Sequence, residues 1–197
     1  MSTALTTPDQ MTLEEFLAWD APDPGRWQLI DGVPVAMAPA GRAHGRLQAV
    51  IAGLIDSHLN ATDSPCVALS NPGIVPAFQA GRNFFIPDVA VTCSESDTDP
   101  AALHRPALVI EILSPSNHAE TWRNIRASML IDSVREILVI YTASVWVDVL
   151  QRGADGSWPD DVTPITQGAF TLASIGLNVP LGVNVPLGVL YRRSGVG

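Results

Sequence analysis

A chain of 197 residues, 47% apolar and only 16% charged, can bury a sizeable core without relying on disulfide or metal staples. A formal net charge of −9 argues against a protein that holds nucleic acid by bulk electrostatics. All eleven positive side chains are arginine, so no side-chain amine is available as a base, a Schiff-base former or a point-charge phosphate clamp.

The first ten residues are polar and read as a disordered N-terminus; they lack the basic region and apolar run of a signal peptide. No apolar stretch approaches the ~20 residues that span a bilayer. The expectation is therefore a cytoplasmic protein with no membrane partner and one domain over residues 11–197. Thr12-Leu13-Glu14-Glu15 is a capping box that opens a short amphipathic helix on Leu13, Phe16 and Leu17. Pro22, Pro24 and Gly25 end that helix. Trp27–Ile30, Asp31-Gly32 and Val33–Met37 read as a β-hairpin on an Asp-Gly turn. Residues 42–60 carry Leu47, Val50, Ile51, Leu54, Ile55 and Leu59 at helical spacing.

Residues 66–76 and 84–92 read as strands, the first interrupted by Pro72-Gly73, and 93–106 as a polar, acidic loop. Cys66 and Cys93 sit in strand-like apolar contexts without metal or redox spacing, so they are expected to be reduced core thiols. Ala107–Leu113 is an apolar run broken by one charge, the pattern of a buried central strand. Asn117 and Glu120 resemble a second capping box, for a helix to about Leu130. Ile137–Tyr141 and Val145–Leu150 are two further strands, followed by a turn at Gly153–Gly156. NVPLGV occurs at Asn178–Val183 and again at Asn184–Val189, a slipped duplication rather than a solenoid repeat. Strands mixed with two main helices give an α/β (α+β) class with a mixed sheet.

Chemistry concentrates in two segments, Ile86-Pro87-Asp88-Val89-Ala90-Val91 and Leu108-Val109-Ile110-Glu111-Ile112-Leu113-Ser114-Pro115. Each is an apolar strand with one acid. A carboxylate buried there needs a cation, a hydrogen bond or a metal. Two acids on neighbouring strands suit Mg²⁺, which takes oxygen ligands and keeps waters. The alternative is structural, with Asp88 capping the turn after Pro87 and Glu111 paired to a buried arginine. Four histidines, His44, His58, His104 and His118, show no i, i+4 spacing for zinc. Ser114-Pro115-Ser116 lacks a nucleophile elbow, and no phosphate-binding glycine loop or dinucleotide fingerprint is present.

The order of WQLIDGVPVAMAP, AHGRL, IPDVAV, LVIEILSPSN and SVREILVI closely resembles the Uma-two family, from about Met11 to Tyr191. That resemblance implies the PD-(D/E)xK restriction-endonuclease-like fold: a mixed β-sheet flanked by helices, and a Mg²⁺- or Mn²⁺-dependent endonuclease acting on DNA. It makes Asp88 the first metal-binding acid and Glu111 the second. The chain departs from the pattern at two places. The superfamily lysine two residues after the second acid is Leu113 here, and the helix position where Uma-like chains carry a lysine falls among Arg123, Asn124 and Arg126. Arginine binds phosphate but does not readily release a proton. The hairpin acid often found in the family is Gln28. His44, at the start of the long helix, either orients water or phosphate or simply occupies a helix start. Two readings follow: a metal-dependent endonuclease that uses Asp88, Glu111, Gln28, His44 and one of Arg123, Asn124 or Arg126, or a non-catalytic nuclease-fold module for binding or interaction. A homodimer is compatible with an enzyme that cuts two strands.

Overall fold

The computed structural model describes residues 10–181, and helix α1 (Leu13–Leu17) opens with the closed capping box expected at Thr12 and Glu15. The hairpin β1 (Trp27–Ile30) and β2 (Val33–Ala36) turns through Asp31 and Gly32 at φ of 49° and 84°. Asp-Gly tolerates that left-handed backbone, and the turn matches the strand twist. In helix α2 (Arg42–Ala61) the four-residue spacing of Leu47, Ile51, Ile55 and Leu59 gives one buried face.

The main sheet has the order β3 (Val67–Ser70), β4 (Val89–Thr92), β5 (Pro106–Leu113), β6 (Glu136–Tyr141) and β7 (Val147–Gln151). The β5–β6 pair is parallel and the other three are antiparallel. The parallel pair requires a crossover, supplied by helix α3 (His118–Met129). A separate hairpin, β8 (Gly168–Leu172) and β9 (Leu177–Leu181), follows. Strand β5 occupies the middle of the sheet, and from Leu108 onward it is wholly buried.

Side-chain alternation along β5 divides the interior into two cores. Leu108, Ile110 and Ile112 pack with Ile51 and Ile55 of α2 and Phe170 of β8. Val109 and Leu113 pack on the other side with Ile125 of α3. Each such Ile or Leu contributes about 1.5–3 kcal/mol by leaving water. Glu111 lies in the second set, between Val109 and Leu113, as alternation requires.

Several expectations are corrected. Residues 84–92 do not form one strand: Phe84 and Phe85 make isolated bridges to Leu29 and Ile74, and β4 starts only at Val89. Pro87 has no N–H for a ladder, and the Ile86 N–H is taken by the Gln28 side chain at 3.1 Å. The preceding strand ends at Ser70, where Asn71 takes a left-handed φ of 51°, and Gly73 follows where the Phe84 ring leaves no room for a Cβ. The second capping box does not form. The Asn117 Oδ1 accepts instead from the Ser114 N–H at 2.7 Å, pinning the β5–α3 turn, while Glu120 turns elsewhere. Cys66 and Cys93 are not free thiols; they form a disulfide across the ends of β3 and β4. Each cysteine lies one residue outside its strand, and the register that pairs Val67 with Thr92 sets the two opposite each other. The expected disorder of the first residues and the second NVPLGV copy lie outside the described residues.

Candidate active site

Asp88 precedes β4 directly, and the pairing of Val89 with Ile110, continued by one step, sets it opposite Glu111. The two acids come together because the antiparallel register leaves them no other placement. Asp88 is held on every side. Its Oδ2 accepts from the Ile112 N–H at 2.6 Å, and its Oδ1 lies 3.2 Å from the His44 Nε2. Its carbonyl accepts from the Asn71 N–H at 2.9 Å and from the Gln48 Nε2 at 2.8 Å. The buried His44 Nδ1 has no hydrogen-bond partner among the described residues.

Glu111 is 3% exposed, and its Oε1 has no hydrogen-bond partner among the described residues. Burial pushes its carboxyl well above the ordinary glutamate range, and the nearby Asp88 charge pushes it further; the Asn124 amide opposes both more weakly. No arginine pairs with Glu111 among the described residues, which removes the structural alternative considered for it.

A third carboxylate completes the cluster. Glu120, on the first turn of α3, accepts from the Gln28 Nε2 at 2.7 Å. Its carboxyl is raised mainly by burial, against the pull of Arg123. Gln28 is fully buried and bridges two segments, since its Oε1 also accepts from the Ile86 N–H. Asp88, Glu111, Glu120, His44 and Asn124 line one cavity of about 40 Å³. That volume admits a cation with a water or two, since liquid water occupies about 30 Å³ per molecule. It does not admit a nucleotide.

Of the sequence-derived candidates, Asp88, Glu111, Gln28, His44 and Asn124 are therefore gathered in or directly against this cavity. Arg123 and Arg126 line an adjoining cavity instead, with Asn124 common to both. Sequence reasoning missed Glu120, which was taken for a capping residue, and Arg26, an exposed arginine that lines the acid cavity and bonds Asn71. It also missed Gln48, whose i+4 spacing from His44 on α2 was the available signal.

The donor set fits a hard divalent cation on one observation: a buried carboxylate oxygen on Glu111 without a partner, close to a second acid. Among the described residues no group of three or more His, Cys, Asp or Glu is arranged to hold a metal. The two-carboxylate set is the one Mg²⁺ accepts, with water or phosphate completing its shell.

The model of the Uma2 family, described as "Putative restriction endonuclease", matches residues 13–180. An uncharacterised protein of Synechocystis sp. is 26% identical over 151 residues, covering 76% of this chain and 78% of that protein. A crystal structure described as a putative nuclease belonging to DUF820, from Anabaena variabilis, superposes with a TM-score of 0.68 at 16% identity. It covers 87% of this chain and 95% of the other. The likeness to that structure establishes the fold: a mixed sheet flanked by helices, as the sequence implied. No helix among the described residues is long and apolar enough to cross a membrane.

Proposed function

The chain belongs to the Uma2 family, and on that premise we propose that it is a divalent-metal-dependent endonuclease that hydrolyses DNA phosphodiester bonds. The unpartnered, buried Oε1 of Glu111 beside Asp88 carries this reading. Asp88 and Glu111 would hold Mg²⁺ or Mn²⁺. The cation, when bound, supplies charge neutralisation and acidifies water. His44 is a positioning residue. Its Nε2 lies 3.2 Å from the Asp88 Oδ1 and orients that carboxylate. Gln28 is a positioning residue: it holds Ile86 at one end and Glu120 at the other, which fixes the backbone entering Asp88. The Asn124 amide favours the charged form of Glu111, and Arg26 offers a guanidinium fork to a phosphate at the rim.

A second reading, a non-catalytic module, is favoured by one observation. Both oxygens of Asp88 already have partners within the chain. Calorimetry with Mn²⁺ and nicking of plasmid DNA separate the two. The nuclease reading expects Mn²⁺ binding and Mn²⁺-dependent nicking, both lost in Glu111→Ala. Absence of binding and nicking in the intact protein would leave the module.

A further inference from the structure

The acid cavity is too small for a nucleotide, so the question is where the chain beside the scissile phosphate would rest. The adjoining cavity measures about 230 Å³. A cavity of about 150 Å³ already accepts benzene, so an aromatic heterocycle is within its capacity. Phe84 lines its wall, and Phe78 and Leu130, exposed at 58% and 57%, flank it. Two large apolar side chains left in water beside one concavity are a surface with a use, and an unburied aromatic ring is what a base stacks on.

The charge around it points the same way. Arg123 and Arg126 line the cavity against one carboxylate, Asp31, within a chain whose formal net charge is −9. Among the described residues neither guanidinium is held by a hydrogen bond or salt bridge. Asn124 lines both cavities, so a strand seated here runs directly onto the acids.

We propose that this cleft binds an unpaired nucleobase of single-stranded DNA, stacked on Phe78, with Arg123 and Arg126 on the flanking phosphates. The inference rests on the nuclease reading for what happens at the acids, but binding itself needs no metal. A paired base keeps its faces against its neighbours in the duplex and cannot enter. The chain is therefore a reader of single-stranded or locally unpaired DNA, and the acidic surface that disfavours a long duplex is no obstacle to one short contact.

The test is fluorescence anisotropy of the full chain in EDTA, with labelled oligothymidine and a dA·dT duplex of equal length. The single strand should bind at least about tenfold tighter, which corresponds to about 1.4 kcal/mol. Phe78→Ala should weaken single-strand binding about 5- to 150-fold, the range for losing one stacked base, while Phe78→Trp retains it. Arg126→Ala should reduce the salt slope by about 0.7. Phe78 is largely exposed, so these variants keep the fold. Equal or tighter duplex binding, or single-strand binding indifferent to Phe78→Ala, would overturn the proposal. If Mn²⁺-dependent cleavage persists in that case, the cleft assignment alone fails. Selective binding without any cleavage would support the cleft and remove the nuclease reading.

Discussion

Gln28 and Glu120 are separated by 92 positions in the sequence, yet the Gln28 amide donates to the Glu120 carboxylate at 2.7 Å beside the acid cavity. This bond ties the hairpin to α3 and explains why an amide suits this position. A carboxylate at Gln28 would keep the Ile86 N–H as a donor but would face Glu120 as a like charge. Gln28→Glu should therefore destabilise the protein by about 1–3 kcal/mol at pH 8, and added Mn²⁺ should recover part of the loss. Urea unfolding with and without the ion measures both. Unchanged stability at pH 8 would show that the contact is dispensable.

Glu111 makes a sign-definite prediction for pH. Its folded-state carboxyl titrates above the unfolded value because burial disfavours the charge. The folded state then binds more protons than the unfolded state, so stability falls as pH rises. The window opens in the ordinary glutamate range and closes at the raised folded value; below it there is no penalty. Glu111→Gln, which keeps shape without charge, should flatten the slope and add about 1–3 kcal/mol at neutral pH. Chemical denaturation at a series of pH values decides, and a variant with the parent slope would contradict it.

Metal binding follows from the same proton. A cation on Asp88 and Glu111 must displace it, so Mn²⁺ affinity should increase with pH, with proton release that varies with the ionisation enthalpy of the buffer. Asp88→Ala and Glu111→Ala should abolish binding and cleavage together. His44→Gln should weaken Mn²⁺ binding about 10- to 100-fold, because the imidazole lies 3.2 Å from the Asp88 Oδ1 and orients that ligand. Calorimetry decides, and an unchanged Mn²⁺ affinity would show that the imidazole does not position Asp88.

The disulfide yields a prediction that composition would not have suggested. Cys66 and Cys93 close a loop with a sequence separation of 27. Reduction should cost about 3–4 kcal/mol on the chain-entropy estimate, measurable as a lower unfolding midpoint in dithiothreitol. A midpoint indifferent to reductant would mean the sheet alone fixes this end.

The elements with strong period or local turn chemistry were legible in the sequence: the Thr12 capping box, the Asp31-Gly32 turn, the apolar face of α2, and β5 at the centre. Asp88 and Glu111 were legible because a lone acid in an apolar strand is conspicuous. What escaped was non-local. Glu120 sits at a helix start, where an acid has an ordinary explanation in the helix dipole. Its role depends on Gln28, and no local pattern links the two. The cysteine pairing needed the β3–β4 register, which neither context nor spacing encodes. Arg123 and Arg126 were grouped with Asn124 by proximity along α3. The turn of the helix parts them, placing Asn124 between the two cavities and the arginines on one.

The long reach between Gln28 and Glu120 also governs when the site comes into being. A ribosome adding about 5–20 residues per second takes about 5–20 s to cover the 92 positions between them. Throughout that interval the hairpin has been made without the carboxylate it will hold. A nascent chain that stalls before α3 thus carries Asp88, and in time Glu111, without the pocket that organises them. Premature termination there releases a fragment that lacks an assembled centre, because the Gln28–Glu120 bond that closes the cavity has not formed.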